Sequence, residues 1–120
     1  MQPNQFQVII AGGRDFNDYP LLESKCDFYF SSRRPTLIIG GGARGADSLG
    51  QQYAAAKGFA YKLFPADWAT YGKSAGMVRN NQMLQEADAL VAFWDGKSRG
   101  TKNMISIAKT KGIAVRIVFY

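Results

Sequence analysis

Short apolar runs and amphipathic helical repeats alternate from one end of the chain to the other. Gln7-Val-Ile-Ile-Ala11 is an apolar run that stops at Gly12-Gly13, the pattern of a buried parallel strand entering a tight turn. Residues 19–31 then repeat at helical spacing through Leu22, Cys26 and Phe30, and Arg33-Arg34-Pro35 ends the helix because proline disfavours helix in the residue before it. Thr36-Leu-Ile-Ile39 is the second apolar run and also ends in glycines. Ala46 to Lys57 is alanine-rich, with Leu49, Tyr53 and Ala56 on one face and Gly58 as terminator. A third strand is expected at 60–64, a loop from Phe64 to Lys73, and a helix from an N-capping Ser74 to Ala87. Ala89 to Trp94 is the fourth strand, Gly96 to Gly100 a loop, and Ile113 to Phe119 the last strand. Thr101 to Lys111 between them is a helix with Met104, Ile107 and Ala108 on one side.

This alternation predicts a single-domain α/β protein over residues 1–120, a Rossmann-like three-layer fold with a mostly parallel five-stranded sheet and helices on both faces. Right-handed crossovers suggest the strand order 3-2-1-4-5. Every strand-to-helix loop then emerges at the carboxyl edge of the sheet, where open α/β folds bind ligands.

The 120 residues are enough to close one core without disulfide or metal support. Cys26 alone cannot form an internal disulfide, and with no histidine the common zinc-ligand sets are missing, so no metal or resident cofactor is expected. Cys26 reads as core packing rather than a reactive thiol. Acid–base chemistry would have to use carboxylates, Tyr, Lys or water. The N-terminus lacks a basic region followed by an apolar core, and no apolar run approaches the ~20 residues of a membrane span, so a cytoplasmic protein with no membrane partner is expected.

The net charge of +6 favours anionic partners. Arg14, Arg44, Lys73, Arg79, Lys97, Arg99 and Lys102 gather at the ligand edge, but so do Asp15, Asp47, Asp67 and Asp95. Mixed signs suit a small polar ligand better than a nucleic-acid backbone.

Three glycine loops carry the candidate chemistry. Gly40-Gly41-Gly42-Ala43-Arg44-Gly45-Ala46-Asp47 lies between a strand and a helix, where backbone amides and the helix N-terminus can point positive charge at a phosphate. It has neither the dinucleotide spacing in a convincing context nor the Gly-Lys-Ser/Thr ending of a P-loop, and a plain tight turn is the competing reading. Asp47 is either a first-turn residue favouring the helix dipole or a ligand contact. Gly12-Gly13-Arg14-Asp15-Phe16 adds Arg14 as a phosphate clamp and Asp15 as acceptor for a ribose hydroxyl, with surface salt-bridging as the alternative. Gly96-Lys-Ser-Arg-Gly100-Thr101 is the third loop. Arg79 and Asn80 fall in the first turns of a helix, and Asn80 and Asn81 are poor mid-helix residues whose presence suggests polar contacts. Trp68, Tyr71 and Trp94 could stack on a base or simply pack.

Taken together, these residues resemble the small bacterial and phage members of the SLOG superfamily, which also contains DprA-like DNA-processing proteins and LOG-type phosphoribohydrolases. The likeness is to YspA-like proteins and runs through Gly13-Arg-Asp-Phe16, Gly41-Gly-Ala-Arg-Gly-Ala-Asp47, Asp67-Trp68, Gly72-Lys73, Ala75-Gly76, Arg79-Asn80, Met83 and Gly100-Thr101. It implies a Rossmann-like fold that binds a nucleotide-derived ligand of the ADP-ribose, NAD or nucleoside monophosphate class, as a sensor or sequestering protein. Homo-oligomerisation is implied by analogy with superfamily relatives.

LOG-type enzymes cleave the base from nucleoside monophosphates using an arginine and a glutamate. Arg79, Met83, Gly100 and Thr101 match their motifs, but the glutamate position is Met104, and a thioether can neither stabilise an oxocarbenium charge nor act as base. An N-glycosidase or base-exchange activity would therefore pair Arg79 with another carboxylate, Asp15 first, with Asp47, Asp67 and Asp95 as alternatives. DNA binding, by analogy with DprA-like relatives, is the weakest reading.

Overall fold

The structure is a computed structural model and describes residues 5–120. Residues 1–4, part of the stretch read for a signal sequence, lie outside the described residues. The chain runs β1 (Gln7–Gly12), α1 (Tyr19–Tyr29), β2 (Leu37–Gly40), α2 (Ala46–Lys57), β3 (Tyr61–Leu63), α3 (Trp68–Tyr71), a 3-10 turn (Gly72–Ser74), α4 (Ala75–Glu86), β4 (Ala89–Trp94), α5 (Arg99–Lys111) and β5 (Ala114–Phe119). The five strands form one all-parallel sheet in the expected order, β3-β2-β1-β4-β5.

Side chains alternate across a strand, so β1 feeds two cores. Val8 and Ile10 join Leu22 and Cys26 of α1, Phe30 at its C-cap, and Tyr53 and Ala54 of α2 on one face. Ile9 and Ala11 join Met83 and Leu84 of α4 and Met104, Ile105 and Ala108 of α5 on the other. Cys26 is fully buried, as its spacing predicts. Gly58 and Gly112 close α2 and α5 in the left-handed conformation, with φ of +76° and +79°.

Three local expectations are corrected. The stretch 64–73 contains a short helix, α3, because the Asp67 carboxylate accepts from the Thr70 amide at 3.1 Å and caps it. Ser74 does not cap α4. Its backbone is helical (φ −84°, ψ −5°) because the 3-10 turn runs straight into α4, whereas a capping residue must leave helical φ/ψ. In α2, Ala56 is exposed and the buried stripe is Ala46, Asp47, Gly50, Tyr53 and Ala54. Gly50 sets that rotation, since a Cβ there would come within 2.8 Å of the Ile10 side chain. Among the described residues no helix is long and apolar enough to cross a membrane.

Candidate functional site

From β1 the chain proceeds outward through β2 and β3 on one side, then returns to β4 and β5 on the other. The loops after β1 and β4 therefore diverge, and the sheet has its crevice at this switch point. A cleft of about 570 Å³ opens there, lined by the β1 loop, the start of α2, α4 and the β4–α5 loop. That volume is in the range of small-molecule sites.

The first two glycine loops are stitched to each other. Gly13 donates its amide to Phe93 O at 3.0 Å and accepts from the Ala46 amide at 3.1 Å, so the first amide of α2 is satisfied from the neighbouring loop. Gly45 makes this approach possible. It has φ +74°, and a Cβ on it would lie 2.7 Å from the Arg14 carbonyl carbon.

Asp47, 6% exposed, is the buried charge at the base of the cleft. Its Oδ2 accepts from the Ala43 amide at 3.4 Å, and the amides of Gly12 and Gly41 and the Arg79 guanidinium also face it. Burial pushes its carboxyl above the ordinary value of 3.8, while Arg79 and those three amides pull the other way. The positive field of the glycine loop is thus aimed at the chain's own carboxylate. Arg79 is held in turn, donating Nη1 to Gly41 O at 2.6 Å and Nε to Asn80 Oδ1 at 3.3 Å. Asn80, buried, donates to Asn103 Oδ1 at 3.3 Å and so ties α4 to α5.

On the opposite wall, Asp95 Oδ1 accepts from the Lys97 and Ser98 amides, both at 2.8 Å. These bonds hold the Asp95 carboxyl below its usual range. Ser98 caps α5, and the buried Thr101 hydroxyl lies 3.2 Å from Ser98 Oγ. Asp15 accepts from the Tyr120 hydroxyl at 2.5 Å. Trp68, 54% exposed, and Lys73 stand on the rim.

Of the residues singled out from the sequence, Gly12, Gly13, Arg14, Asp15, Ala43, Asp47, Trp68, Lys73, Arg79, Asn80, Gly100 and Thr101 line this one cleft. Gly41, Gly42, Arg44 and Gly45 do not: Gly41 and Gly45 are held in the loop backbone, and Gly42 and Arg44 face solvent. Asp67 lies outside it as the α3 cap, in a neighbouring groove with Tyr71. Trp94 packs on Phe119 at 5.7 Å and donates its indole N–H to Ser98 O, the packing role. Met104 lines the cleft and is 2% exposed. Gly76, named in the family likeness, lines it too, as do Asn103 and Met77, which were not singled out. Asn103, a poor helix former inside a helix, carries the same signal that drew attention to Asn80.

A doubly wound parallel α/β domain with a charged cleft at its switch point is the class that fold and site define. The chain belongs to the YspA, cpYpsA-related SLOG family, whose model matches residues 6–71, the segment from β1 to α3 that holds the first two glycine loops. A relative is the Gene 61 protein of Mycobacterium phage D29, 34% identical over 116 residues, covering 91% of this chain and 93% of that protein. No solved structure matches the chain.

Proposed function

We propose that the cleft binds a phosphate-bearing nucleotide or nucleotide derivative of the ADP-ribose, NAD or nucleoside monophosphate class, as a sensor or sequestering protein. The observation that carries this reading is the pairing, in one cleft, of a buried carboxylate fixed by amides with three cations that have no ion-pair partner among the described residues, Arg14, Lys73 and Arg99. Asp47 and Asp15 supply acceptors for ribose hydroxyls, the three cations supply phosphate contacts, and the exposed Trp68 indole supplies a stacking face for a base. Arg79, already committed to Gly41 and Asp47, holds the floor of the site.

Titration calorimetry against ADP-ribose, NAD and nucleoside monophosphates tests the reading. Binding is expected for at least one, with quenching of Trp68 fluorescence, and Arg99→Ala should weaken it about tenfold or more, the worth of a charge-assisted hydrogen bond. A folded protein that binds none of these ligands overturns it. The buried Met104 at the cleft wall supports binding without turnover. Release of free base from the same panel, abolished by Arg79→Ala or Asp15→Asn, would favour the N-glycosidase reading instead.

A further inference from the structure

We infer that the exposed face of α5, with Phe119 beside it, is a docking surface for single-stranded nucleic acid. All nine acidic residues precede Gly96, and the nine basic residues that precede it balance them. Lys97, Arg99, Lys102, Lys109, Lys111 and Arg116 follow, so the last 25 residues carry the entire net charge of +6. None of these six forms an ion pair among the described residues.

The fold lays half of this charge in one line. At about 100° per residue, Arg99, Lys102, Ser106 and Lys109 share one side of α5, turned away from the buried Thr101, Met104, Ile105 and Ala108, whereas Lys111 falls about 200° round from Lys109 and off this line. The stretch from Arg99 to Lys109 is about 15 Å at 1.5 Å rise per residue. Lys97, Arg99 and Lys102 also crowd the helix N-terminus, where the macrodipole is already positive and no acidic residue stands in the first turn. Asp95, whose carboxylate accepts from the Lys97 and Ser98 amides, stands against that end without forming an ion pair with any of the three cations.

An exposed aromatic side chain adjoins the cations. Val115 and Ile117 pack on the α5 side of the sheet, and Phe119 continues that side at the end of β5, 63% exposed. Its ring lies 5.7 Å from Trp94, whose indole N–H is bonded to the carbonyl of Ser98, between Lys97 and Arg99. Cations in a row with an exposed aromatic ring suit a strand whose bases are unpaired and free to stack. Of the aspartates at the cleft edge, Asp95 alone adjoins this surface, at its Lys97 end, while Asp15 and Asp47 lie in the cleft and Asp67 in the neighbouring groove. Apart from Arg99 it is separate from the cleft, so it does not depend on what the cleft binds.

Fluorescence anisotropy of a labelled oligothymidylate of about 20 nucleotides, between about 50 and 200 mM salt, tests the inference. Binding should fall steeply with salt. Lys102→Gln/Lys109→Gln should weaken it at least about tenfold and lower the log–log salt slope by about 1.4, since each phosphate contact on a single strand contributes about 0.7. The corresponding double change to Arg should keep the affinity, and Phe119→Ala should weaken binding without altering the slope. Thermal melting checks that each variant is folded. Absence of binding at low salt, equal affinity in the Gln and Arg variants, or competition by a polyglutamate of similar length as strong as that by DNA would each overturn the inference.

Discussion

Asp47 is the residue on which most of the site turns. Its carboxyl titrates above the ordinary 3.8 in the folded chain, so its contribution to stability is present below that value and is lost as pH rises through the folded-state value. Asp47→Asn should therefore flatten the pH dependence of the urea midpoint above pH 3.8 relative to wild type, and should weaken a ribose-bearing ligand. Gly45 is tested differently: Ala at φ +74° is strained and its Cβ meets the Arg14 backbone, so Gly45→Ala should cost about 1–3 kcal/mol in urea unfolding. At Cys26, burial pushes the thiol up to about 12, and the side chain has no exposure. Native protein should be inert to maleimide at neutral pH and become labelled only on unfolding. The core role of Cys26 was legible from its spacing to Leu22 and Phe30. The burial of Asp47 was not, because its partners Gly12 and Arg79 lie more than thirty residues away on either side.

Elements were read well where a pattern was long and local. The strands appear in the expected sequence because apolar runs bounded by glycine leave a parallel strand few other places to go. The region 64–74 failed because a helix of four residues has no period to detect, and its cap was the only cue. That cap separates two roles for Asp67. Asp67→Ala should lose about 0.5–2 kcal/mol of stability, and Asp67→Asn, which can still accept the Thr70 amide, should not. Ligand affinity unchanged in Asp67→Asn would place Asp67 in the scaffold, and a loss would place its charge at the ligand.

For the molecule as a whole, the sheet order sends the loops after β1 and β4 apart, and the cleft follows from that connectivity. The α4–α5 core closes its underside with Met83 and Met104. Restoring a carboxylate by Met104→Glu would bury a charge in that core beside Asp47 and the other cleft aspartates. The variant should melt at a clearly lower temperature than wild type, with the loss reduced at acidic pH, where the new side chain is neutral.

The order and type of the main elements, the parallel sheet and the edge that carries the site were all present in the chain itself. Those features depend on the period of apolar residues and on glycine and proline punctuation, which act over a few neighbours. Contacts between distant segments settled the rest. They bring Gly12 and Arg79 to Asp47, tie Asn80 to Asn103, and gather the β1 loop, α2, α4 and the β4–α5 loop round one cleft. No local pattern encodes which carboxylate reaches a given set of amides, because that choice is made only when loops thirty or more residues apart close on one another.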